Sequence, residues 1–433
     1  MSYYKPITIF FISAFLLTGL CLYGQTTTAS GYYDDDYPDY LEIKIAVMGP
    51  GDELYFWWGH IALIIEDYET GRSRFYDWGM FSFENENFFL DFAFGRLLYT
   101  CGASSPDWNF RHYIDTGRSI TIYTLNLPAE AKEKIKQYAE FTILPENKDY
   151  YYHHFRDNCA TRIRDIIDLA VDGQFREKYE NTPGRFTYRE HVRRHTWFNP
   201  FFDWILNFWM GRTIDMLLTV WDEMFLPSEI GLRIQEFSYI DPDNKEQQLF
   251  VSDEVLYRTE DRPAVLNAPK PRWPGALILS CVVSLILLVF IIFMYLEKPK
   301  MNYVWAIGQG ALGLFFGVAG TILFFMAFFT NHDYTYWNIN LIFANPLLLA
   351  ALPFGIIYCI KYSRMNHHIW EIYIKSLWSL ILCLGIISII VNIFFGQRNQ
   401  TDIALVLPVA AAASWLPDGL IYIRREYLWR WLN

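Results

Sequence analysis

The sequence predicts an exported α+β domain followed by an all-α bundle of five transmembrane helices. The chain is 53% hydrophobic and has a formal net charge of -11. The apolar and the charged residues are concentrated in different parts of the sequence. Residues 26–272 are mixed and acidic, and they are numerous enough for one sizeable domain. Beyond Pro274, apolar runs long enough to span a bilayer dominate the sequence. The two regions are therefore expected in different environments.

The first 25 residues have the composition of an export signal. Lys5 precedes an apolar run over residues 7–22, and Gly24-Gln25 provides a cleavage site. Such a signal places the following domain outside the cytoplasm. Residues 26–42, which contain Ser, Gly and Pro and are rich in Tyr and Asp, predict a flexible acidic lead-in.

The C-terminal region, residues 273–433, contains five apolar runs. Lys and Arg occur in the first and third connecting loops and after the last run, whereas the second loop, residues 330–338, has none. Positive charge favours the cytoplasmic side, so the C-terminus is predicted in the cytoplasm. Five spans then place the soluble domain of this multi-pass protein on the opposite, outer side of the membrane. The runs cover residues 274–296, 303–329, 339–360, 373–395 and 403–423.

Alternating apolar residues predict a sheet at the start of the soluble domain. A strand is predicted over residues 40–48, and a hairpin follows with arms at residues 61–65 and 73–78. His60 begins the first arm, and Asp77 lies on the second arm roughly opposite it. A histidine held by a carboxylate is the base that a thiol nucleophile needs. The alternative is a structural histidine beside aromatic residues.

A helix is predicted to begin at Cys159. Apolar residues recur at helical spacing from Ile163 to Ala170, and Asp157 and Asn158 are both good N-cap residues. Cys159 then lies in the first turn, where unpaired backbone N–H groups and the helix dipole favour a thiolate. We therefore identify it as the candidate nucleophile, the alternative being an inert buried cysteine.

The order of these motifs predicts a permuted papain-like layout for the α+β domain. The histidine hairpin comes first, an amphipathic helix over residues 129–141 follows, and the cysteine helix comes last, the reverse of papain-type enzymes. The expected roles are nucleophile for Cys159, base for His60 and orienting carboxylate for Asp77. The Cys159 backbone N–H is a further oxyanion donor candidate. Side chains or positions expected to stabilise an oxyanion or to shape the site are Asn158, Trp58 and Gly59.

A disulfide between Cys101 and Cys159 is the main rival to a free nucleophile. These are the two cysteines of residues 26–272, and an oxidising compartment outside the cytoplasm favours bridges. Closing a loop of this length would contribute about 4 kcal/mol in the chain-entropy model. We nevertheless expect a free Cys159 thiol, because the helix start favours a reactive thiolate and Cys101 lies in a strand-to-loop segment that needs no disulfide.

Each of three further segments has two possible interpretations. Residues 174–235 predict two or three helices rich in Trp and Phe, which form either an ordinary packing layer or an interfacial surface for lipid. Residues 81–99 predict a helix or a lid. Residues 241–265 predict a polar strand pair or a linker to the first span.

The second loop between apolar runs contains polar residues that are functional candidates. His332 and Asp333, with Asn338 and Asn340 just beyond, are expected to line the membrane-facing edge of the active site. The alternative is a simple interfacial cap. No phosphate-loop, His-Glu-x-x-His or Cys-x-x-Cys motif occurs, so no cofactor or metal is predicted. Nucleic acid is not an expected partner of an exported acidic domain.

Four stretches resemble the Lnb family of Bacteroidota, which are membrane-anchored proteins with a periplasmic N-terminal domain implicated in lipoprotein N-acylation. The resemblance covers about residue 43 to the C-terminus. A looser similarity is to lecithin:retinol acyltransferase-type enzymes, a permuted papain-like group whose cysteine carries an acyl thioester. The stretches are Trp58-Gly-His-Ile-Ala-Leu63, Tyr76-Asp-Trp-Gly79, Asp157-Asn-Cys-Ala-Thr-Arg-Ile-Arg-Asp165 and Asn338-Ile-Asn-Leu-Ile-Phe-Ala-Asn-Pro346.

The combined resemblance implies Cys159 as nucleophile and His60 as base. Arg72 occupies the place where the third member usually lies, so Asp77 follows from the hairpin and not from the resemblance. The implied function is a lipoprotein N-acyltransferase of the bacterial inner membrane with its catalytic domain in the periplasm. It moves an acyl chain from a membrane phospholipid, through a Cys thioester, to the N-terminal amine of a diacylglyceryl-cysteine lipoprotein. The alternatives are a cysteine peptidase or amidase of the cell envelope, and a non-catalytic membrane-anchored binding module.

Overall fold

The computed structural model describes residues 39–81, 87–296, 299–362 and 367–422. The predicted signal peptide and most of the acidic lead-in lie outside the described residues. Several of the charges used to orient the bundle do so too, namely Lys298, Arg364, Arg424, Arg425 and Arg430.

An antiparallel sheet organises the soluble region, and its order is β11-β5-β1-β2-β3-β4-β6 once the strands below are numbered along the chain. The predicted first strand and hairpin are confirmed as its centre. The described strands are β1 (Leu41–Met48), β2 (His60–Asp67), β3 (Arg72–Met80), β4 (Leu98–Ser104), β5 (Ile120–Leu125), β6 (Asp149–Tyr151), β7 (Pro183–Thr187), β8 (Leu217–Thr219), β9 (Ser238–Ile240), β10 (Glu246–Gln248) and β11 (Phe250–Tyr257).

Both faces of this sheet are covered, because successive side chains of a strand point to opposite sides. On one face, Ile43 and Leu63 pack with Ile163 of the cysteine helix. On the other face, Ala62 packs with Tyr113. The helices that cover the two faces are α2 (Pro106–Asp115), α3 (Ala129–Thr142) and α4 (Cys159–Ala170), and they follow the short helix α1 (Phe88–Ala93).

The segment after the cysteine helix forms a helical layer between the sheet and the bundle. Its aromatic residues divide between two roles: Phe208 is buried in the core of the bundle, whereas Phe201 is 56% exposed. The packing-layer interpretation is therefore confirmed for Phe208, and a lipid surface at Phe201 stays a prediction. The helices are α5 (Gln174–Tyr179), α6 (Tyr188–Thr196), α7 (Pro200–Trp209), α8 (Val220–Glu223) and α9 (Pro227–Glu236).

The prediction for residues 241–265 needs a correction. β9 and β10 form a hairpin, but β11 joins the main sheet beside β5. The sequence hides this strand because it lies at the edge of the sheet, where most of its side chains are exposed and lack an apolar alternation.

The C-terminal region is helical and apolar. Four described segments are long and apolar enough to cross a membrane, and a fifth span results if Gln400–Ala413 and Leu416–Tyr422, bent by 48°, are counted as one. The third span is also interrupted: Asn345 caps a short turn by accepting a hydrogen bond from the Leu347 N–H, and Pro346 lacks a backbone donor. The helices are α10 (Trp273–Tyr295), α11 (Pro299–Phe329), α12 (Ala351–Tyr362), α13 (His368–Phe395) and α14 (Gln400–Ala413).

Candidate active site

A histidine and a carboxylate meet at the start of the hairpin. His60 is the first residue of β2, and its Nε2 donates to Asp77 Oδ1 over 2.7 Å. Both side chains are 15% exposed. Gly59 adopts φ +80°, and a Cβ there would come within 2.7 Å of the Met48 carbonyl oxygen. The backbone therefore enters the strand at an angle that requires glycine and fixes where His60 begins.

The electrostatic surroundings favour a protonated His60. Burial opposes the charge, but the Asp77 carboxylate, Tyr113 and Cys159 outweigh it, so the pKa of His60 lies well above its ordinary value. Because Nε2 is engaged by Asp77, Nδ1 is the ring nitrogen left for a proton exchanged with a thiol.

Cys159 is placed by a complete capping box. The Asn158 side-chain oxygen accepts from the Thr161 N–H over 2.9 Å, and Thr161 Oγ1 accepts from the Asn158 N–H over 2.8 Å. Cys159 is therefore the first residue of α4, and it is buried. An α-helix provides no acceptor for the backbone N–H at this position.

The expectation that the Asn158 amide stabilises an oxyanion is not supported by its contacts. Its nitrogen donates to the His154 carbonyl over 2.8 Å and to the Phe225 carbonyl over 3.0 Å. An amide nitrogen has two hydrogens, so neither remains for a substrate. Asn158 is thus a positioning residue that ties the cysteine helix to the helical layer.

Trp58 supports the loop before His60. Its ring stacks on His195 with centroids 6.4 Å apart, and it packs against the cluster that contains Phe155 and Phe225. We infer a structural role in shaping the site, since these contacts are with the helical layer.

Tyr150 and Tyr152 lie beside Cys159 and escaped the sequence analysis. Gly79 adopts φ +100°, and a Cβ at this position would lie 3.8 Å from Cys159 Cβ, 3.9 Å from the Tyr150 hydroxyl and 3.7 Å from Tyr152. Among the described residues, the buried Tyr150 hydroxyl has no hydrogen-bond partner. Burial and the nearby Cys159 raise the pKa of Tyr150, so its phenol remains a donor. The aromatic run before the cysteine was visible in the sequence, but its register was not.

Cys101 does not engage Cys159. Both cysteines are free thiols, and Cys101 Sγ donates to the Thr142 carbonyl over 2.8 Å. Burial raises the pKa of the Cys101 thiol, which suits an inert core residue. The described part of the chain contains no group of three His, Cys, Asp or Glu residues that would hold a metal ion.

Models of known protein families match both the soluble and the membrane region of this chain. A model described as the Lnb N-terminal periplasmic domain matches residues 31–194, and one described as the Lnb transmembrane domain matches residues 278–410. The chain belongs to the Lnb family. It is therefore a multi-pass membrane protein with a periplasmic domain. No curated protein and no solved structure matches it.

In this Lnb-family chain, the loop after α11 contacts the segment that leads into the cysteine helix. His153 Nε2 donates to Asp333 Oδ1 over 2.9 Å, and Arg156 forms an ion pair with the same carboxylate. Burial alone would raise the pKa of Asp333, but His153 and Arg156 lower it. His332 is buried, with Nε2 donating to the Phe92 carbonyl over 3.0 Å.

Asn338 and Asn340 lie elsewhere, and their placement corrects the expectation that they line the same edge. Both amide nitrogens donate to the Phe208 carbonyl, over 2.9 Å and 3.1 Å. Asn340 also donates to Asp402 Oδ2 over 2.9 Å. These partners are distant in sequence, and the asparagines serve to join α7 to the bundle.

Joint replacement of His332 and Asp333 by Ala is expected to reduce activity of the site about tenfold. A displacement of about 1 Å near reacting groups can cost up to roughly 10²-fold, and Asp333 anchors the segment that positions Asn158 through His153 and Arg156. The measurement is the rate of Cys159 alkylation in membranes, with thermal unfolding of the protein followed in parallel. Asp243→Ala, at an exposed hairpin, is the matched control. Equal activity of both variants would make the loop a simple cap.

Proposed function

We propose that this chain is a lipoprotein N-acyltransferase of the bacterial inner membrane. The observation that carries the proposal is the His60–Asp77 pair, with a raised His60 pKa to which Cys159 contributes, in a periplasmic domain built onto a membrane bundle. The substrates are a membrane phospholipid as acyl donor and a diacylglyceryl-cysteine lipoprotein as acceptor. The periplasmic domain takes a permuted papain-like layout, in line with a histidine strand that precedes the cysteine helix.

The first half-reaction forms a thioester on Cys159. His60 Nδ1 takes the thiol proton, and the sulfur attacks the ester carbonyl carbon of the phospholipid. The C–O bond then breaks, and His60 returns the proton to the alkoxide, which leaves as lysophospholipid. Asp77 holds the imidazole orientation through both transfers.

The second half-reaction transfers the acyl group to the lipoprotein. The neutral α-amine attacks the thioester carbonyl, the C–S bond breaks, and a proton passes from the nitrogen through His60 to the Cys159 sulfur. An ester and an amine become an alcohol and an amide, which is downhill and needs no ATP. A reaction that needs no ATP suits the periplasm.

Both tetrahedral intermediates need donors for their oxyanion. The Cys159 backbone N–H lies at a helix start, and the Tyr150 hydroxyl is a buried donor without a partner among the described residues. We assign the oxyanion to these two groups, in place of the Asn158 amide.

Mass spectrometry of lipoprotein N-termini tests the proposal. Membranes from cells with the protein should contain N-acylated lipoproteins, whereas cells without it should contain free α-amines. Purified protein with an isotopically labelled phospholipid should transfer the labelled acyl chain to a diacylglyceryl peptide. Release of cell-wall peptide fragments without any acyl transfer would replace the proposal by an envelope peptidase or amidase.

Replacement of Asp77 by Asn is expected to shift the pH dependence of Cys159 alkylation. The carboxylate raises the pKa of His60 whereas burial lowers it, so removing the charge lowers that pKa. With a lower pKa, the His60 imidazolium that stabilises the Cys159 thiolate loses its proton at a lower pH. Acyl transfer is therefore expected to fall about 10- to 100-fold. The contribution of the His60–Asp77 pair to the free energy of unfolding is fully present below the unfolded-state pKa of His60. It is lost as the pH rises through the folded-state pKa of His60.

The measurement is the alkylation rate by a lipid-like electrophile from pH 5 to 9, with the adduct mapped by mass spectrometry. Asp253→Asn on the exposed edge strand is the control. An unchanged profile for Asp77→Asn would mean that another group orients His60. A Cys159 linked to Cys101 in peptide maps would remove the nucleophile itself.

A further inference from the structure

Helix α1 is a short aromatic segment inserted between two strands of the sheet. Its sequence is Phe-Phe-Leu-Asp-Phe-Ala. Phe89 is 72% exposed, Leu90 58% and Phe92 46%. Large apolar side chains on adjacent positions of a short helix form an apolar surface that water does not favour.

The end of α1 is attached to the last turn of α11, one of the helices that are long and apolar enough to cross a membrane. The Phe94 ring contacts Phe325 with centroids 5.5 Å apart. Phe325 lies one helical turn before Phe329, the last residue of α11. It is therefore about 6 Å from that end of the helix, measured along the helix axis. α1 therefore lies beside the last turn of a membrane-spanning helix and does not stand above it.

Hydrogen bonds from the loop after α11 fix this position. The Asn331 N–H donates to the Phe94 carbonyl over 2.8 Å, and His332 Nε2 donates to the Phe92 carbonyl over 3.0 Å. The other His332 nitrogen accepts from the Tyr334 hydroxyl over 2.9 Å. Burial lowers the pKa of His332, which fits the neutral ring that these two bonds require.

The chain then runs from α1 directly to the candidate site. β4 begins a few residues after α1 and pairs with β6, the strand of Tyr150. Tyr99 stacks on Tyr152 with ring centroids 4.3 Å apart, and Tyr152 lies beside Cys159 through Gly79. An apolar surface beside the end of α11 is thus joined to the nucleophile by two paired strands.

From this arrangement, we infer that Phe89, Leu90 and Phe92 insert into the periplasmic leaflet of the bilayer and form a lipid-binding surface at the mouth of the active site. The occupant is the acyl region of membrane phospholipid, because the surface is continuous with the lipid-facing side of α11 and its residues are apolar. The role in feeding acyl donor to Cys159 rests on the proposed function, whereas the membrane contact itself does not.

A photo-crosslinking experiment tests the membrane contact without any activity. The full-length protein carries p-benzoylphenylalanine in place of Leu90, is reconstituted in phosphatidylethanolamine–phosphatidylglycerol vesicles, and is irradiated. Tyr68 in the β2–β3 turn is the matched control, because it is 64% exposed and lies at the end of the hairpin away from His60. Phospholipid adducts at position 90 should exceed those at position 68 at least tenfold. Equal yields at both positions, or an adduct with protein alone, would overturn the inference.

Paired activity assays separate this inference from the proposed function. The double variant Phe89→Ser with Leu90→Ser should transfer acyl chains from vesicle phospholipid at least about tenfold more slowly than the unaltered protein. With a water-soluble short-chain ester donor the two proteins should react at equal rates. Equal rates from vesicles would exclude a donor route along α1. Absence of transfer by the unaltered protein would instead refute the proposed function and leave the crosslinking result standing.

Discussion

Replacing Cys159 by Ser or His60 by Ala is expected to abolish lipoprotein N-acylation, with a loss of about 10³-fold or more. Serine retains the shape of the side chain, but its hydroxyl does not form the thiolate that the first half-reaction needs. Loss of His60 removes the group that carries protons in both half-reactions. Because Cys159, His60 and Asp77 act as a unit, a variant with both Cys159 and His60 replaced should be little worse than either single variant.

The measurement is labelled acyl transfer from phospholipid to a diacylglyceryl peptide, with a thermal unfolding scan of each variant. Cys101→Ser is the matched control, since Cys101 is the other buried thiol of the described periplasmic region and its Sγ donates to the Thr142 backbone carbonyl. We expect it to keep transfer within about threefold, because it lies in the core and not beside His60. Wild-type levels of N-acylation from Cys159→Ser or His60→Ala would remove the thioester mechanism.

The parts of the site that follow from the sequence are those that local chemistry determines. A two-arm hairpin brings His60 and Asp77 within reach of one another, because its register follows from alternating apolar residues and a tight turn. The cap before Cys159 depends on residues three apart in the chain. Both features therefore appear in the pattern of a single sequence.

The parts that the sequence does not reveal depend on partners far along the chain. The Asn158 amide is occupied by Phe225, 67 residues away, and Asn340 is occupied by Asp402, 62 residues away. No local pattern shows that a side-chain donor is already engaged. Tyr150 was missed for a related reason, since β6 has only three residues and its register depends on pairing with β4.

Attachment of the periplasmic domain to the bundle also lay beyond the sequence. Trp204 Nε1 donates to Asp402 Oδ1 over 3.0 Å, and Asp333 binds His153. These contacts join residues separated by 198 and 180 positions. The Asp333 contact attaches the segment before Cys159 to the loop after α11, and the Asp402 contact attaches α7 to the bundle.

Replacing Tyr150 by Phe is expected to lower kcat for acyl transfer about 10²-fold while leaving the fold intact. One oxyanion donor typically contributes about 10²- to 10³-fold in rate. The hydroxyl has no hydrogen-bond partner among the described residues, so its removal leaves no other group unpaired and should be neutral or slightly stabilising. A structural role would give the opposite pattern, with lower stability and little change in rate.

Single-turnover formation of the Cys159 thioester measures this effect directly, with KM and the unfolding temperature recorded alongside. Tyr151→Phe is the matched control, because Tyr151 is the next residue of the same strand, points to the opposite face and is 70% exposed. We expect Tyr150→Phe to lower the rate of thioester formation at nearly constant KM, since the donor acts on the transition state more than on the bound ester. A change confined to KM, or equal rates in the two variants, would leave the Cys159 N–H as the oxyanion donor and assign Tyr150 to packing.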